Sequence, residues 1–365
     1  MQRVHNYGSW LQAYALKQLL LCNGANEVRF VDIVPGTCLL RPEGRFARIK
    51  RILSEMLSVG FKNKWVSFEY ANQNSLMFAN FYHQLDPDGP VLDSDCDAVV
   101  IGSDEVFNTV QLSQWGYTPQ LYGEMDCSYV FSYAGSFGHT TLEQLHRFHI
   151  ADEIAAAMKT MKAISVRDTN SQYIVKMLID KDVPIHLDPV LIYGYENEIA
   201  KIRSNGEKTY LLIYSYNGRI RDKKEVKAIL TFAKSQGLRI MSLFCAYSWC
   251  DGYFTTKSAM EVLDCFKNAA YVVTDTFHGS IFSIITKRKF CTLLRASNTQ
   301  KLTSLLSMLH LSERLVVSGE ELAQKLICKI DYKEVESILS DYRQVANKYL
   351  RDNIDRIAAL NSKEG

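Results

Sequence analysis

The sequence predicts an α/β protein made of two Rossmann-like, doubly wound domains facing a cleft. Three observations carry this. Short apolar, β-branched runs alternate with stretches of helical periodicity along most of the 365 residues, the rhythm of parallel strands joined by crossover helices. A polar stretch from Glu196 to Lys208 interrupts that rhythm, which then resumes. The length is enough for two domains of ordinary size, with 47% hydrophobic and 22% charged residues to supply cores and surfaces. The expected layout is an N-terminal domain over 1–186, a C-terminal domain over 187–330 and a helix over 331–365 packing across both.

The bulk properties narrow the function. A formal net charge of +2 gives no general electrostatic case for nucleic acid. No apolar run is long enough to span a bilayer. Trp10 to Leu21 is interrupted by Gln12, Lys17 and Gln18, which excludes a signal peptide there. The nine cysteines are scattered without CxxC pairs, the pattern of free thiols in a reducing compartment, so a cytoplasmic protein is expected. Cys245 and Cys250 have no histidine at zinc-site spacing.

Taken in order, HNYGSWLQAYALKQLLLCNG reads as a loop entering a helix, with Ser9 and Gln12 at capping-box spacing and Gly24 as a stop. Val28 to Val34 reads as a strand. A domain of this type begins with a strand, so Met1 to Val4 reads as the tail of one whose start is truncated. Between Arg41 and Tyr82, basic residues (Arg41, Arg45, Arg48, Lys50, Arg51, Lys62, Lys64) alternate with apolar ones as a basic amphipathic helical insertion. Such a face is most often simply solvated, and it also suits an anionic membrane surface or substrate.

Asp97 to Ile101 is a second strand, and GSDEVFN at its carboxyl end has the small and polar residues of a site-lining loop. Asp93, Asp95 and Asp97 imitate a metal-binding set, but they precede the strand, so a solvated loop and no metal are expected. Ser128 to Ala134 is the next strand, followed by the turn Gly135 to Gly138 and a helix from about Thr141 to Lys159, with His146 and His149 on one face. Ala163 to Val166 forms a strand and Ser171 to Ile179 a helix. Arg167 between them faces either an anion or a neighbouring carboxylate such as Asp168.

In the second half, strands are expected at Tyr210–Tyr214, Leu238–Phe244, Tyr271–Asp275 and Phe290–Leu294. Helices are expected at Lys223–Ser235 and Met260–Lys267, and Asp331–Leu360 is strongly helical. The chain is organised around NAAYVVTDTFHGSIFSIITKRKF: a buried strand, a tight turn and a helix with His278 in its first turn and Gly279 removing bulk beside it. Ligands of open parallel sheets bind outside the carboxyl ends of the strands. A helix start offers N–H groups and a positive dipole end to an anion, and an imidazole beside it is a proton donor in the neutral range. A helix-capping histidine in an ordinary turn is the plainer alternative.

Six blocks in order, HNYGSWLQAYAL, DAVVIGSDEVFN, FSYAGSFG, ISVRDTNS, HLDPVLI and AAYVVTDTFHGSIFSI, resemble those of the polysaccharide pyruvyl transferase family. The resemblance implies a fold similar to type B glycosyltransferases. It also implies transfer of a pyruvyl group from phosphoenolpyruvate to sugar hydroxyls of a surface polysaccharide precursor, forming a ketal. The partners it implies are phosphoenolpyruvate and a glycan or lipid-linked sugar, at the inner face of the membrane if at one. No cofactor or metal is implied. By the same resemblance His278 is the acid/base, Arg167 holds an anionic group of the donor, and Thr276, Gly279 and Ser280 surround it. Asn6, Gly8, Ser103, Asp104 and Ser136 line the cleft from the first domain. Many members carry an arginine two residues before the histidine; Thr276 stands there in this chain, and a hydroxyl does not neutralise a phosphate. The competing functions are a nucleotide-sugar glycosyltransferase and a catalytically idle carbohydrate-binding or assembly protein of the same fold.

Overall fold

The computed structural model describes residues 6–40, 65–73, 81–110, 116–203 and 209–364. The expected strand tail at Met1–Val4 and the basic residues between Arg41 and Lys64 lie outside these. The described residues form a mixed α/β protein with parallel sheets, divided into two compact units. One comprises the described parts of Met1–Pro42, Tyr82–Tyr193 and Ser337–Gly365; the other, those of Glu43–Phe81 and Gly194–Glu336.

In the first unit, strands β1 (Val99–Asp104) and β2 (Val130–Gly135) run parallel, in register from Val99 with Val130 to Asp104 with Gly135. The next segment, Ala163–Val166, is extended but joins β2 only through isolated bridges. The reason lies in two buried hydroxyls. Ser132 Oγ donates to Ser165 O (3.0 Å) and accepts from Ser165 N (3.1 Å), while Ser165 Oγ accepts from Ala134 N (3.0 Å). Side chains thus replace part of the ladder. Helix Tyr7–Cys22 packs Leu11, Ala15, Leu16 and Leu19 inward. From Ser337 onward, helix Tyr332–Glu364 braces the same unit, with Tyr349 Oη donating to Ser132 O (2.8 Å) and Tyr129 Oη to Asn353 (3.0 Å).

Two local expectations are corrected here. Val28–Val34 is not a strand: only Val31 bridges, to Val91, through Asp32 N to Val91 O (3.0 Å) and Val91 N to Phe30 O (2.9 Å). An apolar run becomes a strand only where a neighbour supplies a ladder, and along this run a cavity of about 550 Å³ separates it from β1. The cavity touches every residue from Asp95 to Ser103. Successive strand residues point to opposite faces, so it lies against the strand's edge. The helix expected over 141–159 is two, Leu142–Arg147 and Ala151–Thr160. His149 breaks it with φ of 58° as Ile150 N bonds back to Leu145 O (3.1 Å), a Schellman-type stop. His146 and His149 therefore share no helical face.

The second unit holds a six-stranded parallel sheet in the order β5-β4-β3-β6-β7-β8. Its strands are β3 (Tyr210–Tyr214), β4 (Arg239–Leu243), β5 (Gly252–Tyr253), β6 (Tyr271–Thr274), β7 (Lys289–Leu293) and β8 (Leu315–Val316). Helices Lys223–Ser235, Met260–Lys267 and Phe277–Ile285 form where the 3.6-residue periodicity places them. The chain leaves β3 toward β4 on one side and returns to β6 on the other. The order therefore reverses between β3 and β6, a topological switch point. Helix 65–73 groups with this unit, Tyr70 Oη accepting from Phe244 N (2.9 Å).

Candidate functional site

The turn after β6 is built by hydroxyls. β6 ends at Thr274, whose Oγ1 donates to Tyr214 O on β3 (2.7 Å) and accepts from Thr276 N (3.1 Å). Thr276 caps helix Phe277–Ile285, its Oγ1 accepting from Gly279 N (2.9 Å). A Cβ on Gly279 would stand 2.1 Å from Thr274 Oγ1 and 2.6 Å from Thr276 Oγ1. Close approach, rather than backbone freedom, requires the glycine. Ser280 points into the sheet, its hydroxyl shared with Thr276 O (3.2 Å) and Thr292 Oγ1 (2.8 Å).

His278 sits in the first turn of that helix at the switch point. It is 8% exposed. Its ring stacks on Phe282 one turn later (centroids 6.0 Å apart) and meets Phe277 edge-on (5.5 Å). The aromatic pair fixes the imidazole plane.

Asp275, immediately before the cap, is fully buried. Its Oδ1 accepts from Ser215 Oγ (2.7 Å) at the end of β3, its Oδ2 faces Arg295 Nε (3.3 Å) and Arg219 Nε (3.6 Å), and its carbonyl accepts from Asn298 Nδ2 (2.6 Å). Burial raises its pKa above the ordinary carboxylate value, against the pull of Arg219, Ser215 and Arg295. Arg295 also grips Glu225 with both terminal nitrogens (2.6 and 2.8 Å). One carboxylate thereby ties together the loops that follow β3, β6 and β7.

A second polar group lies in the first unit, at the carboxyl ends of β1, β2 and the 163–166 segment. Arg167 is 5% exposed. It faces Asp188 Oδ2 (Nη1, 3.2 Å) and Asp104 Oδ1 (Nη2, 3.6 Å). Burial opposes its charge, and Asp104 and Asp188 more than offset this, so its pKa is raised. Of the alternatives the sequence leaves open for Arg167, the structure shows the carboxylate contact, with Asp104 and Asp188 as the partners and Asp168 engaged elsewhere. Asp168 caps helix Thr169–Ile179 through Ser171 N (2.8 Å) and accepts from Ser136 Oγ (2.6 Å). Ser9 Oγ donates to Asp104 Oδ2 (3.1 Å), and Gln12 Nε2 reaches both Ser103 Oγ (2.7 Å) and Asp188 Oδ2. Asn6 Oδ1 accepts from Gly8 N (2.7 Å). The cap of helix Tyr7–Cys22 is therefore Asn6, and the capping-box reading of Ser9 and Gln12 is replaced by contacts to the strand ends.

A family model described as polysaccharide pyruvyl transferase matches residues 6–297. The chain belongs to that family. It is accordingly a transferase. No curated protein matches it. Among solved structures it is similar to a mutant O-GlcNAc transferase of Thermobaculum terrenum, at 9% identity and a TM-score of 0.33, with 79% of this chain and 76% of that one covered. A superposition that loose supports no argument about function.

Within this polysaccharide pyruvyl transferase the residues expected to form the site fall into two sets. Thr276, His278, Gly279 and Ser280 share the β6 turn; Ser103, Asp104, Ser136 and Arg167 share the strand ends of the first unit, while Asn6 and Gly8 open the helix whose Ser9 and Gln12 reach that group. Asp188, Asp275, Arg219 and Arg295 were missed. Asp188 alone carried a local signal, an aspartate before a proline that opens helix Pro189–Tyr193. Asp93, half-buried and accepting from Asp126 N, and Asp95, exposed, form a turn at the opposite end of β1. Among the described residues no cluster of three His, Cys, Asp or Glu could hold a metal, and no helix is long and apolar enough to cross a membrane. All nine cysteines are free.

Proposed function

We propose that the protein transfers a pyruvyl group from phosphoenolpyruvate to two hydroxyls of a sugar in a surface polysaccharide precursor, leaving a cyclic ketal and inorganic phosphate. The observation that carries this reading is His278, held by two aromatic rings in the first turn of a helix at the switch point, in a chain of this family. His278 gives its proton to the methylene carbon of the enol, leaving oxocarbenium character at the adjacent carbon. A sugar hydroxyl attacks that carbon, and its proton passes to the imidazole. The carbon–oxygen bond to phosphate then breaks, and the second hydroxyl closes the ring with loss of its proton. The atoms balance with no redox step, so the chemistry calls for neither a cofactor nor a metal.

The donor brings a carboxylate and a phosphate. The positive end of helix Phe277–Ile285 favours such charge, and Thr276, whose hydroxyl holds Gly279 N, brings no cation of its own. The hydroxyls and carboxylate of Ser9, Ser103 and Asp104 are groups that bind sugar hydroxyls. Arg167, clasped by Asp104 and Asp188, holds those carboxylates in position.

The test is phosphate release by the purified protein from phosphoenolpyruvate with candidate acceptor glycans. Release that depends on acceptor and yields an acid-labile ketal is expected. Turnover of a nucleotide sugar in its place would reject the reading.

A further inference from the structure

We infer that Arg219 is the donor's anion-binding residue in the second unit, filling the role for which Thr276 has no charge. This rests on the pyruvyl-transfer reading and specifies where in that site the charge is met.

The location follows from topology. Arg219 lies on the loop that leaves β3, at the carboxyl ends of the strands where the sheet order reverses, and faces the residue just before the cap of the His278 helix. Connections diverge at such a point and leave a crevice between the strand ends. The loop after β3 and the turn after β6 are its two walls.

Orientation is fixed from three directions. Nε faces Asp275 Oδ2 at 3.6 Å, Nη2 donates to Ser297 Oγ at 2.9 Å, and the guanidinium lies over the Tyr216 ring at 5.2 Å. A planar fork held in this way loses little freedom when it meets an anion.

The remaining capacity then distinguishes the two arginines. Arg295 commits Nη1 and Nη2 to Glu225 and Nε to Asp275. Both carboxylates are already served by it. Arg219 keeps Nη1 without a partner among the described residues, and its side chain is 28% exposed. A phosphate or carboxylate at this crevice meets one preset guanidinium with a spare donor, beside the positive end of a helix dipole.

Calorimetric titration of phosphoenolpyruvate into the wild type, Arg219→Gln and Arg219→Lys tests this, with each protein's unfolding midpoint measured alongside. A charged hydrogen bond contributes about 1.5–3 kcal/mol, so Arg219→Gln should weaken donor binding roughly tenfold or more. Arg219→Lys, which keeps the charge and loses the fork, should recover part of it. Asp275 retains Arg295 and Ser215 in both variants, so the midpoints should stay close to wild type. In turnover, KM for phosphoenolpyruvate should rise while KM for the acceptor stays put. Unchanged donor affinity in a folded Arg219→Gln protein overturns the role of Arg219 alone. Should lysine bind no better than glutamine while both midpoints fall together, the residue is structural and the inference is again overturned. If the wild type itself binds no phosphoenolpyruvate, the pyruvyl-transfer reading fails first and takes this role with it.

Discussion

Replacing Gly279 by alanine is a sharp test of how the site is built, because the same change in an ordinary helix is favourable. Alanine exceeds glycine in helix propensity by about 1 kcal/mol. Here the new methyl would stand 2.1 Å from Thr274 Oγ1, 2.6 Å from Thr276 Oγ1 and 2.8 Å from Tyr214 Cδ1, all on buried side chains. Relief must move the cap, which costs about 1 kcal/mol for the Thr276 bond, and displace the Thr274 hydroxyl from Tyr214 O, a further ~1 kcal/mol. Overpacking adds about 1–3 kcal/mol. Set against the propensity gain, the net loss is roughly 3 kcal/mol. At about 2–4 °C per kcal/mol for a unit of this size, the melting midpoint should fall by roughly 6–12 °C. Thermal unfolding followed by circular dichroism reads this directly. A midpoint equal to or above wild type would refute the argument that close packing, not turn conformation, dictates the glycine.

Other substitutions separate chemistry from scaffold. His278→Gln keeps much of the ring's bulk and should lower acceptor-dependent phosphate release by about 10²–10⁴-fold with the protein still folded; near-normal turnover would remove its acid/base role. Arg167→Met leaves Asp104 and Asp188 without that cation, at a cost of about 3–5 kcal/mol. Urea unfolding should show this deficit shrinking as acid protonates the two carboxylates, and a deficit independent of pH would contradict the ion-pair account. His186 stacks on Tyr133 and meets Tyr349 at a tilt, and burial lowers its pKa from 6.5 to about 4. The native state therefore refuses a proton that the unfolded chain accepts. Stability is full above pH 6.5 and falls as pH drops toward 4, by about 3 kcal/mol in all. His186→Phe should flatten that part of the pH–stability curve, and an unaltered slope would assign it to other groups.

Much of the second unit was legible because its signals are local. Tyr210–Tyr214 is five apolar or aromatic residues between polar ones, and Lys223–Ser235 carries its own Asp222 cap. His278 was visible because an apolar strand, a polar turn and a helical stripe are contiguous. What escaped notice depends on strand order. Arg219, Asp275 and Arg295 are up to 76 residues apart (295 less 219), and meet only because β3, β6 and β7 are neighbours. Nothing in their flanking residues encodes that adjacency. Arg167 shows the same limit: its place at a strand end was readable, but its partner Asp188 comes from a segment beyond the next helix. Val28–Val34 fails in the opposite sense. Its composition is that of a strand, while pairing is a property of neighbours, and Val91 supplies only one bridge.

The seam between β2 and the 163–166 segment has a consequence for how this chain tolerates change. An ordinary ladder is made by main-chain groups, so mutation leaves its bonds in place. Here Ser132 and Ser165 are themselves rungs, and Arg167 follows two residues later. Alanine at either serine would remove those rungs and leave the seam to its main-chain bonds, among them Ser132 N to Ala163 O (3.0 Å) and Arg167 N to Gly135 O (3.1 Å). Two small polar side chains are thus part of the sheet's own bonding, beside the strand end that carries Arg167.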